Sequence, residues 1–272
     1  MKTVKRKNYM KNNCLIFFLS ILLISCNQPV KQNTQKQQST KKEKKTNNIA
    51  QAEKKKNKID LPEITDENVK KVLSELGKEN KENLLLLKTR KGDMKIRLYD
   101  ETPLHRANFI MLIKRGFYDG TVFYRVVPDL IIQGGDSDDF TRRKKKRAVG
   151  NYTIPAEFHP GLFHKKGALA MARNYEDNPD KRSVSYDFFI VQGEDYDQAG
   201  LKQVEIGYEL DFTPEQQKVY TRVGGAPHLD GEHTVFGEVV EGLDIIDSIA
   251  AVKTGEDDWP VNDVYIDLEI LE

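Results

Sequence analysis

Cysteine and long hydrophobic runs are both scarce in this chain. Only two of its 272 residues are cysteines, Cys14 and Cys26, so a disulfide-stabilised scaffold is excluded and stability must come from a hydrophobic core. The longest apolar run, residues 14–24, is shorter than the roughly 20 residues that a membrane-spanning helix needs. The five histidines are scattered and no CxxC or HExxH pattern occurs, so we predict no metal site.

The N-terminus has the features of a secretory signal. Five basic residues precede the short apolar run, which is the usual order in such signals. The run ends in Leu23-Ile24-Ser25-Cys26, which resembles a bacterial lipobox and predicts removal of residues 1–25 and lipidation of Cys26. The alternative is a general signal peptide with an incidental cysteine. With the lipobox, the protein is expected in the bacterial cell envelope, lipid-anchored at the periplasmic face or the outer membrane.

A polar, basic tether is predicted over residues 26–60. It has almost no large apolar side chains that could repay the entropy of ordering it. Residues 1–58 contain fifteen Lys and Arg against two acids, whereas the rest contains 28 against 40, so the net charge of +1 hides a basic segment and an acidic domain. We interpret the segment as a spacer, solvated or attracted to anionic lipid, and expect no nucleic-acid partner. An adhesion or nucleic-acid role would require strong salt-dependent binding.

Residues 61–82 are predicted to form a short helical lead-in to the main domain. Val69, Val72 and Leu76 recur there at helical spacing. The main domain is predicted over residues 83–272.

Short strand-like runs dominate the main domain. The first two flank Gly92 and predict an antiparallel hairpin. Two helices are expected, one between Pro103 and Gly116 and one over residues 243–250. Many short strands without a βαβ rhythm predict a mainly β fold, a closed antiparallel barrel with a helix over each end. The predicted strands span residues 84–88, 94–98, 121–127, 130–133, 152–155, 168–172, 188–191, 234–239 and 264–270.

A single arginine, Arg125, interrupts strongly apolar, β-branched sequence. A guanidinium is always charged and cannot be fully buried without partners, so we expect it to point from a sheet face into a polar site or open groove. The alternative is a structural arginine paired to an acid such as Asp136 or Asp139.

Three sequence segments occur in a specific order around this arginine. They are FYR at residues 123–125 with QGGD at 133–136, GALAMAR at 167–173 with FFI at 188–190, and LDGEHTVFG at 229–237. In that order they resemble the cyclophilin family of peptidyl-prolyl cis-trans isomerases, and an ordered set is more specific than any single motif. The resemblance covers roughly residues 84–272 and implies an eight-stranded barrel.

The resemblance also implies the roles of individual residues. It makes Arg125 the catalytic residue with Gln133 beside it, and it implies that Ala172 and Arg173 present backbone to an extended substrate. The expected substrates are proline-containing polypeptides, and we expect a monomer. The residues implied to line the proline pocket are Leu130, Ile131, Phe189, Leu229 and His233.

The chemistry of an X–Pro bond suits these residue types. The amide isomerises through a twisted state in which its nitrogen becomes basic, and a charged donor such as Arg125 can then bond to it. No nucleophile, metal or cofactor is needed. The alternative is a proline-peptide-binding or holdase module that has lost turnover.

Four positions depart from the family's usual residues. Tyr124 replaces a common His, Leu130 replaces a common Phe, and His228 replaces a Trp that contacts cyclosporin in some members. Asp187 stands where Gln is usual and is expected near Arg125. It either orients the guanidinium or pairs with it too tightly and reduces activity.

Residues 193–227 form an insertion relative to compact family members. Thr213 and Pro214 open a capping-box pattern that predicts one short extra helix ending before Gly224. The insertion either lies at the rim of the groove and restricts clients, or is a peripheral decoration. The basic run over residues 142–147 and the acids between residues 194 and 197 are predicted to be surface loops.

Overall fold

A computed structural model describes residues 63–136 and 140–272 of the chain. The predicted signal peptide, Cys26, the tether and Asp139 lie outside the described residues.

Eight strands close into an antiparallel barrel. Around the barrel their order is β1, β10, β3, β4, β8, β6, β9, β2, and two further short strands, β5 and β7, pair with each other outside it. This confirms the predicted mainly β barrel. The strands are β1 Leu84–Thr89, β2 Gly92–Leu98, β3 Thr121–Val127, β4 Ile131–Asp136, β5 Thr153–Ile154, β6 Ala168–Met171, β7 Ser183–Val184, β8 Phe188–Val191, β9 Val235–Glu241 and β10 Tyr265–Ile270.

The alternation of apolar residues decides which strand face points inward. In β2 the side chains of Met94, Ile96 and Leu98 are buried, because successive residues of a strand point to opposite faces. Aromatic rings fill the barrel: Phe109 lies 5.3 Å from both Phe188 and Phe236 between ring centroids, in edge-on geometry. Such edge-on pairs add to the stabilisation from apolar burial.

Six α-helices are present among the described residues. The two predicted helices, α2 and α6, contribute buried apolar side chains to the barrel core. Glu157 accepts hydrogen bonds from the backbone N–H groups of Leu104 and His105, both at 3.0 Å, which satisfies the otherwise unpaired donors at the start of α2. The helices are α1 Val69–Glu79, α2 Pro103–Lys114, α3 Phe140–Val149, α4 Gln198–Tyr208, α5 Pro214–Val223 and α6 Leu243–Ala250.

The lead-in helix α1 packs directly against α2. Leu73 is fully buried and belongs to the same apolar core as the barrel. Gly77 lies at this helix contact, where a Cβ would lie 3.4 Å from the Cβ of Ala107. The segment before α1 is also held, since Asp66 accepts from the backbone N–H of Thr153 at 2.6 Å.

The prediction of a loop over residues 142–147 was wrong, because this run lies inside helix α3. Lys and Arg are good helix formers, and neither Gly nor Pro interrupts the run before Gly150. Lys145 also donates to the carbonyl oxygens of Gly116 and Asp119, at 2.9 and 2.7 Å. The helix is thereby tied to the chain that follows α2.

The insertion contains two helices, one more than predicted. The predicted capping box is confirmed at the start of α5, where the Thr213 hydroxyl accepts from the Gln216 N–H and the Gln216 side chain accepts from the Thr213 N–H. Helix α4 begins instead at Asp197, whose side chain accepts from the Gly200 N–H at 2.7 Å. Asp197 is thus a helix cap and not part of a solvated loop.

The insertion is closed at its base and has its own small core. Leu201, Phe212 and Tyr220 are buried together. Glu194 and Gly225 exchange two backbone hydrogen bonds, both 2.9 Å, which join the ends of the insertion. Gly193 permits this contact, since a Cβ there would lie 2.3 Å from the Gly225 Cα.

Candidate active site

The strand register brings several predicted site residues into one row. Arg125 on β3 lies opposite Gln133 on β4, Gln133 lies opposite Phe189 on β8, and Phe189 lies opposite Ala170 on β6. Directly opposed residues share a sheet face, with Cβ atoms roughly 4.5–5.5 Å apart. A cation, an amide and an aromatic ring therefore stand side by side on the outer face of the barrel.

A bulge in β3 places Arg125 on that outer face. Phe123 and Val126 point into the core, and the register shifts between Phe123 and Arg125, so strict alternation is broken at Tyr124. The Arg125 side chain is 41% exposed, and its Nε lies 3.5 Å from the Asp258 Oδ2.

Neither acid predicted as a structural partner is the one seen beside Arg125. Asp136 forms an ion pair with Lys146 instead, and Asp139 lies outside the described residues. The acid found beside the guanidinium, Asp258, comes from the turn before β10.

Tyr124, the residue that replaces a common His, bonds to the row. The Gln133 side-chain amide donates to the Tyr124 hydroxyl. Burial, together with the nearby Asp187 carboxylate, raises the pKa of Tyr124. The phenol therefore stays protonated at neutral pH, and Asp187 acts on the row through its charge. Trp259 packs against Tyr124 with ring centroids 5.9 Å apart.

An apolar cluster surrounds the Phe189 end of the row. Phe189 is only 2% exposed, with the His164 ring stacked on it at 6.1 Å and the His233 ring edge-on at 5.2 Å. Leu130 and Leu229 are partly buried and pack on the same cluster, to which Ile131 also belongs. The five residues implied to line a proline pocket are therefore neighbours.

His233 is fixed in one tautomer. Burial, followed by the effect of the neighbouring His164, lowers the pKa of His233 to about 4, so the ring is neutral at neutral pH. Its Nδ1 lies 3.1 Å from the Met171 carbonyl oxygen and must donate to it, since a carbonyl only accepts. The Nε2 therefore accepts from the Tyr175 hydroxyl, 2.8 Å away.

Ala172 and Arg173 lie at the end of β6, beside this cluster. The Ala172 N–H donates to the Asp187 carbonyl at 2.8 Å, and the Ala172 carbonyl accepts from Val184 at 2.9 Å. The Ala172 N–H is thus already used, which leaves backbone contact with an extended segment mainly to Arg173. The Arg173 guanidinium stacks 4.1 Å from the centre of the Tyr175 ring and pairs with Glu232.

Four residues at the site were not found from the sequence. Asp258 and Trp259 reach the site from the turn before β10. No local sequence pattern indicates a contact between residues so far apart in the chain. His164 and Tyr175 each lie in a loop whose sequence carries no recognisable pattern. Only the folded arrangement shows that they contact the Phe189 and His233 rings.

The part of the chain that the structure describes has neither a metal-binding cluster nor a membrane-spanning helix. Within residues 63–136 and 140–272, no group of three or more His, Cys, Asp or Glu is placed to hold a metal ion. In the same part of the chain, no helix is long and apolar enough to cross a membrane.

Comparison with known proteins places the chain in a family. The model of the family described as cyclophilin type peptidyl-prolyl cis-trans isomerase/CLD matches residues 84–269. A protein of Staphylococcus saprophyticus assigned to these isomerases is 35% identical over 190 residues, which cover 69% of this chain and 91% of the relative. A similar protein of Staphylococcus haemolyticus is 35% identical over 196 residues, which cover 71% and 94%.

A solved structure shows the same fold. The cyclophilin type peptidyl-prolyl cis-trans isomerase of Cryptosporidium parvum has a TM-score of 0.51 and 21% sequence identity, and the match covers 70% of this chain and 98% of that chain. Together with the family-model match, the relatives show that the chain belongs to the cyclophilin-type peptidyl-prolyl cis-trans isomerases.

Proposed function

We propose that this peptidyl-prolyl cis-trans isomerase acts on proteins of the bacterial cell envelope and that Arg125 assists rotation about the X–Pro bond. The observation that carries the mechanism is the row formed by Arg125, Gln133 and Phe189 across three neighbouring strands. It supports a proline ring resting on the Phe189 cluster while the guanidinium reaches the amide nitrogen.

The twisted amide explains the need for a cation. An X–Pro bond isomerises over a barrier of roughly 18–20 kcal/mol, because rotation removes amide conjugation. The planar nitrogen is a poor hydrogen-bond acceptor, whereas the twisted nitrogen has a free lone pair. A hydrogen bond from Arg125 therefore strengthens towards the transition state, which is the condition for raising turnover.

The arginine supplies only part of the catalysis. A hydrogen bond to a charged group contributes about 1.5–3 kcal/mol, and the partial exposure of Arg125 favours the lower end. The apolar cluster contributes by holding the ring in one orientation and excluding water on that side. Gln133 and Tyr124, which bond to each other, border the path of the rotating carbonyl.

The first experiment replaces Arg125. In Arg125→Ala, kcat/KM for an Ala-Pro peptide, followed by NMR exchange, should fall roughly ten- to hundredfold, with the melting temperature unchanged within a few degrees. Arg97→Ala provides the control, since Arg97 is an exposed arginine on β2, across the barrel from the site. Full activity in Arg125→Ala would exclude the arginine mechanism.

A non-catalytic binder is not favoured by membership of an isomerase family. The wild-type protein distinguishes a binder from an enzyme. A binder would retain peptide affinity in the wild-type protein without accelerating exchange.

The envelope location is supported by the lipobox-like sequence ending at Cys26 and by the basic tether. Slow proline isomerisation limits folding in any compartment. Its catalysis needs no energy source, which suits an enzyme outside the cytoplasm. Expression of the full chain in a bacterial host should give a membrane-bound protein that incorporates labelled fatty acid. Cys26→Ser should release it from the membrane fraction, and unchanged lipid labelling in that variant would rule out the anchor.

A further inference from the structure

A cleft lies between the insertion and the loops beside β6. It has a volume of about 280 Å³. Two tyrosines from different segments line it and are unusually exposed, Tyr175 at 64% and Tyr208 at 58%. The Tyr208 ring lies 5.4 Å from the His228 ring between centroids. The other apolar lining residues are Leu210 and Leu229.

The two acids at this cleft already have partners within the protein. The Asp230 carboxylate accepts from His164 Nδ1 and from the Tyr220 hydroxyl, both at 2.8 Å. The Glu232 carboxylate pairs with Arg173 through one oxygen and with Lys181 through the other. Each of the four carboxylate oxygens therefore already has a partner within the protein.

The histidine at the cleft favours its neutral form. Burial lowers the pKa of His228 below its ordinary value. Besides the two paired acids, the cleft presents two tyrosine rings, an imidazole that favours its neutral form and two leucines to a ligand. Such a lining favours an aromatic or large aliphatic side chain over a charged one.

The cleft adjoins the Phe189 end of the row. Leu229 lines the cleft and also packs on the cluster around Phe189. Tyr175 donates to His233, whose ring is edge-on to Phe189. An extended peptide advances about 3.3 Å per residue, so a side chain within two positions of a bound proline can reach the cleft.

We propose that this cleft is a specificity subsite that takes an aromatic side chain flanking the proline of the client polypeptide. The inference rests on the proposed isomerase mechanism for the position of the proline. The subsite gives the insertion a role in substrate recognition, because Tyr208 and Leu210 belong to the insertion. The insertion thus selects clients through one wall of the cleft.

The test uses the full-length protein and a set of short Ala-Pro peptides. Each peptide carries a single Phe, or a single Lys, at one of the two positions on either side of the proline. Affinity is measured by calorimetry or NMR titration, and exchange is measured separately. One Phe peptide should bind roughly five- to tenfold more tightly than the all-Ala peptide.

Variants at Tyr208 show whether the cleft causes the preference. Tyr208→Ala should remove the preference for Phe while leaving turnover of the all-Ala peptide unchanged, and Tyr208→Phe should keep the preference because the ring remains. Ile206→Ala is the matched control, since Ile206 is exposed on the same helix and does not line the cleft.

Three results would overturn the subsite. The first is equal affinity for the Phe and Ala peptides, and the second is a Phe preference that survives Tyr208→Ala. The third is tighter binding of a Lys peptide, which would mean that Asp230 and Glu232 attract a cationic side chain. If the preference for Phe is present but the protein accelerates the isomerisation of no peptide above its uncatalysed rate, the subsite stands and the catalytic mechanism is wrong.

Discussion

The carboxylate of Asp258 lies beside the guanidinium of Arg125, with 3.5 Å between Oδ2 and Nε. Asp257 and Asp258 both have left-handed backbone, with φ of 55° and 60°, which is uncommon for residues other than glycine. The next residue, Trp259, packs on Tyr124. One turn thus contacts both Arg125 and its neighbour, and it holds the guanidinium from the side opposite Gln133.

Removal of the Asp258 carboxylate should lower turnover modestly. Both side chains are partly exposed, and exposed ion pairs contribute only about 0–1 kcal/mol. We therefore expect Asp258→Ala to reduce kcat by up to about fivefold with little change in KM, since the carboxylate positions the guanidinium and does not bind substrate. Steady-state kinetics on one Ala-Pro peptide measures this.

Asp257→Ala provides the control for Asp258→Ala. It removes the same charge from a neighbouring residue with the same left-handed backbone. An equal loss of kcat in the two variants would show a general effect of charge or of the turn, and not a specific contact with Arg125.

Acid should destabilise the fold through His233. The pKa of this ring is about 4 in the folded protein against an ordinary 6.5, so between these values the unfolded chain binds a proton that the folded chain does not. The free energy of unfolding should therefore fall as the pH drops from 6.5 to 4, by up to about 3 kcal/mol from this group. Urea unfolding at a series of pH values measures the slope.

His233→Asn should remove that part of the pH dependence. The asparagine amide can still donate to the Met171 carbonyl in place of Nδ1. The same substitution at exposed His159 is the control. An unchanged slope in His233→Asn would mean that the acid sensitivity arises elsewhere.

The barrel and the residues of the Arg125 row could be predicted, but their partners could not. Short alternating runs such as Met94, Ile96 and Leu98 determine a strand and its inward face locally. The motif order then pointed to Arg125, Gln133 and Phe189. The contact with Asp258 depends on the path of a distant turn, which leaves no periodic signal.

Local composition also misled the prediction of helices. Helix α4 contains Gly200 and Gly207, and glycine disfavours helix, so packing of Leu201 against Phe212 and Tyr220 outweighs local preference. In α3, by contrast, local preference agrees with the observed helix. A run of like charges suggested a solvated loop, although its residues are individually good helix formers.

The lead-in helix should unfold together with the barrel. Leu73 is fully buried in the shared core, and truncation of a buried Leu to Ala usually costs about 2–5 kcal/mol. Leu73→Ala should lower the free energy of unfolding by that amount in one cooperative transition. Glu75→Ala on the exposed side of the same helix should have little effect. A separate early transition would show that α1 unfolds independently.

Closure of the insertion should depend on Gly193. Its φ is +73°, and a Cβ would lie 2.3 Å from the Gly225 Cα, in a place where only backbone could move. Gly193→Ala should therefore separate the two chain segments that pair at the base of the insertion, lowering stability by about 1–3 kcal/mol and increasing amide hydrogen exchange in α4 and α5.

Gly207→Ala is the matched control with the opposite sign. Gly207 lies in helix α4 and a Cβ there meets nothing within 4 Å, so alanine should stabilise the helix by about 0.5–1 kcal/mol. If the aromatic subsite is correct, Gly193→Ala should also weaken the preference for a Phe peptide, because Tyr208 would no longer be held opposite Tyr175. Unchanged exchange in α4 and α5 together with an intact Phe preference would show that the Gly193 contact does not position the insertion.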